Sequence, residues 1–535
     1  MRFPTYAALV ATCLLAVSTE ESSAQQELLL PEDYGTYGVE FSETPISEET
    51  ELVAYCSEPA CGCADAGCGD GVGCCDCGDG CCSSCAKKKD KPNPCAGSHK
   101  GLFYANDFSY LKDPCYRGCC LGDCLKLMPV GRCGRWGTLD IGGQVRLRYH
   151  DEEGMGRSSL TTPANRGFLD TENTFLLSRL RLYGDWKAND YLRVYVEGIS
   201  AEHIGNSTYN PRPIDINSAD LLNAFVDVKM TDSFTVRVGR QELLYGAQRT
   251  VSPLDWANTR RTFEGIRGLY KCGDWKIDGF YTNFVPVDAY NFDEADYDRS
   301  FYGLYSTYTG LENATAEGYY LGFDDQRTGG AVGANDFSLH TVGGRIMGKA
   351  AGKWLYEVEG AYQGGRQSGA GLDHSAGFIT AGIGRKLTNW CWDPTLWMYF
   401  DYASGDDGSG DDFNRFNQLF PLAHKYLGFI DAVARSNVIS PNFRLTMKPH
   451  KKVDLLLWYY YFGAAQENDI IPGVAVPSGQ NTTDNNFGNE LDVIVKYAIG
   501  PRSNILFGYS HLWPGAKITS TNDADFFYTQ WTLNF

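Results

Sequence analysis

The chain has 535 residues, 47 basic against 66 acidic, for a formal net charge of −19; this excludes the basic surface typical of a nucleic-acid binder. Aromatics make up 13%, with 33 Tyr and 28 Phe, too rich for a disordered polymer, and a mean hydropathy of −0.31 excludes a bundle of apolar spanning helices. The length suits either three or four globular domains or one large closed barrel.

Residues 1–24 read as a secretory signal. Arg2 supplies a short charged start, residues 7–18 (AALVATCLLAVS) an apolar stretch, and Ser22-Ser23-Ala24 small residues before a cut at Gln25. The competing readings are an N-terminal core helix and a lipoprotein box at Cys13, which Thr12 fits poorly. Beyond the signal, no apolar run reaches the roughly 18 residues a spanning helix needs. The longest, 455–465 (LLLWYYYFGAA), is aromatic and strand-like.

Residues 25–55 form a linker, and a cysteine-rich segment fills 56–137, expected on the periplasmic side. It carries 16 of the 19 Cys. Ten fall in 56–85: Cys56, Cys61, Cys63, Cys68, Cys74, Cys75, Cys77, Cys81, Cys82 and Cys85, set among Gly, Asp and Ala. Such a stretch has too few apolar residues for a core and needs covalent or metal bonds. After export, disulfides are the first reading, with a metal–thiolate cluster as the alternative; no metal site is assigned. Cys95, Cys115, Cys119, Cys120, Cys124 and Cys133 follow, in a part with enough aromatics for a small packed unit.

From 138 onward, segments of about ten residues alternate in polarity, the period-two signature of strands. Leu139, Ile141, Val145, Leu147 and Tyr149 share one face; Asp140, Gln144, Arg146 and Arg148 share the other. Eighteen strands are predicted, near 138–150, 172–186, 190–204, 219–230, 233–245, 262–271, 274–286, 299–311, 316–325, 337–350, 353–365, 372–388, 394–405, 434–448, 452–463, 487–499, 502–512 and 525–535. The gaps alternate, mostly long after odd strands and short after even ones. This is the pattern of an outer-membrane barrel, the one way strands can pair every backbone group in lipid. The fold class is therefore all-β, a transmembrane antiparallel barrel of about 18 strands. Trp186, Trp275, Trp397, Trp458 and Tyr459 are expected at the membrane interfaces. The alternation of 527–535, ending on Phe535, resembles the C-terminal signal that the barrel-assembly machinery reads. Lipid and that machinery are thus expected partners. With both chain ends on the short-turn side, Cys272 and Cys391 share that side with the cysteine-rich segment. They are either disulfide partners for it or unpaired surface thiols.

An eighteen-strand barrel is wide enough for an aqueous channel. The alternation points Arg146, Arg148, Arg179, Arg181, Arg193, Lys229, Arg237 and Arg267 inward, all from the first six strands, with Asp140, Glu197 and Asp227 among them. A guanidinium fork suits carboxylates, and a basic wall favours anions. The other reading is that these arginines pair with lumen acids. The acidic run 406–412 (DDGSGDD) is read as a solvated loop rather than a calcium site.

One stretch carries a resemblance. Residues 239–267 (GRQELLYGAQRTVSPLDWANTRRTFEGIR) begin with Gly239, Arg240 and Gln241 and continue through Arg249, Trp256, Asn258, Arg260 and Arg261 to Arg267. This resembles the alginate export family of outer-membrane proteins, over about residues 138–535. The resemblance implies a monomeric barrel with an arginine-rich constriction that passes an anionic uronate polymer. By simple counting Arg240 falls on the apolar face, which needs a bulge or an interfacial position. The cysteine-rich extension departs from the family. It resembles cysteine-rich leaders on planctomycete barrel proteins, which implies cross-linking to disulfide-linked envelope proteins.

The expected function is passive passage of anionic solutes, small or polymeric, acidic saccharides or an exported polysaccharide included. The alternative is a structural barrel that anchors a disulfide-linked envelope layer. The sequence has no GxSxG, and its eight His are scattered. Neither catalysis nor a cofactor is expected.

Overall fold

The computed structural model describes residues 95–113, 116, 120–155, 172–205, 211–327, 336–350, 353–387, 390–408, 412–472, 480–518 and 522–535. The signal, the linker and Cys56–Cys85 lie outside the described residues, as do Cys115 and Cys119.

Eighteen long strands make one antiparallel sheet. They are β1 (Thr138–Glu153), β2 (Glu172–Lys187), β3 (Leu192–Gly205), β4 (Asn217–Thr231), β5 (Phe234–Gln241), β6 (Thr262–Cys272), β7 (Trp275–Val285), β8 (Asp296–Leu311) and β9 (Ala314–Gln326). The second half comprises β10 (Asp336–Ala350), β11 (Trp354–Gln367), β12 (Leu372–Lys386), β13 (Thr395–Ala403), β14 (Val438–His450), β15 (Val453–Gly463), β16 (Asn486–Gly500), β17 (Ser503–Pro514) and β18 (Ala524–Asn534). Each pairs with its sequence neighbours, and β1 also pairs with β18 in the register Leu147↔Trp531. The sheet is closed, so no edge is left with unpaired backbone groups in lipid.

The alternation sets the two faces. On β1 and β2, Ile141, Leu147, Leu180 and Leu182 are exposed outward, whereas Arg146, Arg148, Arg179 and Arg181 are buried inward. A barrel in lipid inverts the usual order, with apolar residues outside and charged ones within.

The interior holds three apolar clusters, each formed by an insert against the wall. Residues 242–261 follow β5, and their Leu243, Tyr245 and Val251 pack on Phe263, Phe280, Phe301 and Tyr319. Residues 404–437 follow β13, and their Phe416, Leu427, Phe429 and Ile430 pack on Leu456, Trp458, Ile494 and Phe526. Residues 95–127 precede β1, and Leu102, Phe103 and Tyr104 pack on Tyr183, Tyr195 and Phe225. A fully buried Phe or Leu is stabilised by about 1.5–3 kcal/mol relative to water, so these inserts are firmly seated.

Three expectations change. The fifth strand ends at Gln241, not near 245, because the chain there turns into the lumen. The fourteenth starts at Val438, because 434–437 belong to the second insert. Trp397 and Trp458 are not interfacial. Both share the inward parity of Tyr399 and Tyr460, and the Trp458 indole donates to Asn442 Oδ1 at 2.8 Å.

Candidate functional site: the lumen

The inserts after β5 and β13 meet across the lumen. Val251 bridges Phe420 in parallel. Ser252 N donates to Phe420 O at 2.8 Å, and Phe420 N to Thr250 O at 2.9 Å. Arg261 donates to the carbonyls of both Ser252 and Pro421. Burial, with no counter-ion among the described residues, lowers its pKa to about 10. The Trp256 ring lies flat on His424, with centroids 3.4 Å apart and planes 5° apart. Arg148 covers Trp256 at 3.7 Å, a cation–π contact in a desolvated place.

The arginines of β1 and β2 hold this crossing. Arg146 donates to Asp255 O at 2.7 Å, Ala257 O at 3.2 Å and Asn258 Oδ1 at 3.2 Å. Arg179 donates to the Asp255 carboxylate at 2.9 Å. Burial pushes the Asp255 carboxyl up, but Arg179, Arg260 and Arg146 outweigh it and hold the group well below the usual range. Asn258 donates to Ser178 O and Asp215 O. At the far end Arg249 bonds Glu357 and Glu359 of β11, at 2.6 Å each. The insert is therefore pinned to opposite walls by Arg146 and Arg179 on one side and by its own Arg249 on the other.

The remaining arginines are also paired. Arg181 bonds Glu197 at 2.6 Å. Arg193 bonds Asp185 at 2.6 Å, Arg237 bonds Asp227 at 2.7 Å, and Arg267 bonds Asp278. Arg260 is held by Glu242 and Asp255. Arg146, Arg148, Arg179, Arg181 and Arg267 are each no more than 2% exposed. They point inward but meet protein, not water. Lys229 is different. It stands at the short-turn rim, 2.8 Å from the fully exposed Asp232, because β4 runs beyond the lumen there.

Arg240 lies beside Val238, which is exposed, and faces Ala224 and Glu264 across the ladders. It is held by Asp220 at 3.1 Å, Glu264 at 3.4 Å and Asp293 O at 2.7 Å. The register shifts beside it, between Glu197 and Gly198 on β3, and Gly239 has φ +126°. A Cβ at Gly239 would meet Ala224 O at 2.2 Å, so only glycine fits. Gln241 is buried and donates to Gly239 O.

The cysteines divide. Cys95 and Cys120 form a disulfide within the 95–127 segment. Cys124, Cys133, Cys272 and Cys391 are exposed free thiols. A bond from Cys272 or Cys391 to the described N-terminal segment is absent for a geometric reason. The segment rests against β17, β18 and β1–β5, whereas these thiols sit at the β6–β7 and β12–β13 turns.

Sequence reasoning missed the opposite arc. Lys271, Lys276, Lys349, Lys386, Lys448 and Lys496 have the inward parity of Arg267, Phe280, Arg345, Thr380, Arg444 and Asp492, near the short-turn ends of β6, β7, β10, β12, β14 and β16. All but Lys496 keep partial or full exposure. Asp278 and Asp454 are inward acids at the same ends, and Glu357, Glu359, Asp401, Glu490 and Asp492 are buried inward further along β11, β13 and β16. The same period-two count that found the arginines would have found these lysines.

The family model for alginate export matches residues 138–529. No curated protein matches the chain. Among solved structures, OccAB2 of Acinetobacter baumannii is 10% identical with a TM-score of 0.51, over 74% of this chain and 98% of that one. OccAB3 of the same organism is 12% identical with a TM-score of 0.50, over 74% and 100%. OccK11 (OpdR) of Pseudomonas aeruginosa is 11% identical with a TM-score of 0.50, over 74% and 96%. At these identities the likeness is one of fold, that of outer-membrane porin barrels.

Proposed function

Because the chain belongs to the alginate export family, we propose that this outer-membrane channel passes anions along the lysine-lined arc of its lumen. The family is one of channels rather than enzymes. The observation that carries the reading is the contrast between the two walls. The arginines of β1–β6 are buried against carboxylates or carbonyls under the inserts, whereas the lysines from β6 to β14, paired or not, keep contact with solvent. Accessible cations lining a low-dielectric wall raise the local anion concentration. Small carboxylated solutes, acidic saccharides included, are the class this lining suits. The inserts that cross the lumen favour small solutes over a threaded polymer. The partners that follow are outer-membrane lipid around the apolar girdle and, for the strand that ends at Phe535, the barrel-assembly machinery.

A second reading rests on the four exposed thiols. Cys272 and Cys391 lie in short turns, on the side where the N-terminal segment enters the barrel, and suit disulfide bonds to periplasmic envelope proteins, with the barrel as their anchor. The reversal potential of the purified protein in a planar bilayer under a salt gradient separates the two. An anion-directed reversal supports the channel; a silent barrel supports the anchor.

A further inference from the structure

We propose that residues 95–127 are a built-in plug that narrows the short-turn mouth of the barrel and keeps the arginine arc out of the passage. The inference rests on the channel reading above.

The segment is seated by side chains on the inner wall. Tyr104 lies edge-on to Tyr195 and Phe225, with centroids at 5.8 and 5.3 Å, and its hydroxyl donates to Glu242 O at 2.8 Å. Arg237 sits 4.5 Å from the Tyr104 ring. Phe103 lies 3.8 Å beneath the Arg181 guanidinium. Arg193 donates to Tyr104 O at 2.7 Å, and Arg260 to Gly101 O at 3.2 Å. Leu102, Phe103 and Tyr104 are each no more than 4% exposed.

A second anchor lies on the other flank of β18 and β1. Arg502, in the turn before β17, bonds Asp123 at 2.7 Å; its guanidinium also donates to Tyr110 Oη at 2.7 Å and to Leu121 O. Leu127 N donates to Asp140 Oδ1 at 2.5 Å. The Cys95–Cys120 disulfide closes the segment on itself between the two anchors.

Two features separate this segment from the wall. Its described residues add nothing to the strand ladder; only Met128 and Pro129, just beyond it, pair with Leu139 and Thr138, and β1 to β18 close without it. It is also one-sided. Its contacts run from β17 round to β5, and the lysine arc has none of those described. A displaced plug would uncover Arg181, Arg193 and Arg237 together with Tyr183, Tyr195 and Phe225, and so widen the passage on its charged side.

The test uses the full-length protein, wild type beside Phe103→Ala/Tyr104→Ala and, as a gentler change, Asp123→Asn. Heat-modifiable gel mobility establishes that each barrel is closed. Single-channel conductance should rise about twofold in the double variant, since the plug lies along seven of the eighteen strands of a wide barrel. A second readout does not need conduction: phenylglyoxal modification of Arg237, mapped by mass spectrometry, should be absent in the wild type and present in the variants. Equal conductance with Arg237 protected throughout overturns the plug and leaves the channel standing. Silence of every protein in the bilayer counts against the channel, and Arg237 modification confined to the variants then still supports the plug.

Discussion

Replacing Arg249 with Ala should release the far end of the crossing insert. Arg249 is 2% exposed and bonds Glu357 and Glu359 at 2.6 Å each. Its ring partner is Tyr426, at 4.5 Å. Removing one member of a buried ion pair costs about 3–5 kcal/mol, because the partner charge is left buried without compensation. Here Arg345 remains 2.8 Å from Glu357, so Glu357 keeps a counter-charge while Glu359 loses its closest one. The lower end, about 3 kcal/mol, is the expected loss. Equilibrium urea unfolding of the barrel in lipid vesicles reads it. Adding Glu359→Gln to Arg249→Ala should restore part of the loss, since the stranded charge is then gone. In bilayers, the single variant should show added current noise as the insert leaves β11. An Arg249→Ala protein as stable as the wild type, with the same current trace, would refute the pinning of the insert.

Three further outcomes are expected. His99 lies among Phe103, Phe108 and Ser98, and faces Arg502, Lys126 and Asp123. Burial first, then Arg502 and Lys126, lower its pKa from 6.5 to about 3. A docked plug therefore keeps His99 neutral, so docking is at full strength above pH 6.5 and weakens as pH falls towards 3, by at most about tenfold per pH unit. Conductance should rise from pH 7 to pH 5 in the wild type, and a flat profile in His99→Gln would identify the group. Gly137 joins the plug to β1 with φ +82°, and a Cβ there would meet Lys187 O at 1.9 Å. Gly137→Ala should cost about 1–3 kcal/mol, read as a lower midpoint in thermal unfolding. Lys349→Gln and Lys386→Gln should each reduce anion preference in the reversal potential, whereas Lys229→Gln, at the rim beside Asp232, should leave it unchanged.

The barrel was legible because period-two polarity and the rhythm of gaps both report the membrane. Lipid forces one face to be apolar, so Leu180 and Leu182 announce the outside as clearly as Arg179 and Arg181 announce the inside. What the inward charges meet was not legible. Arg146 donates to carbonyls of Asp255 and Ala257, about 110 residues away, and no local pattern encodes such a partner. The inserts did leave a trace. Residues 416–434 (FNQLFPLAHKYLGFIDAVA) are too apolar for a solvated loop, and Phe416, Leu427, Phe429, Ile430 and Val433 are buried. The motif 239–267 was visible as a motif, but its arginines act chiefly to fasten the crossing. Trp458 and Tyr459 also cannot share a face on one strand, and the structure turns Trp458 inward.

The central claim is that accessible lysines, not the buried arginines, set the selectivity. The most direct measurement is the reversal potential of Lys349→Glu/Lys448→Glu beside the wild type, in planar bilayers under the same salt gradient. The expected result is an anion-preferring wild type whose preference is lost or reversed in the double variant at comparable conductance. An unchanged anion preference in the variant, or a cation-preferring wild type, would contradict it.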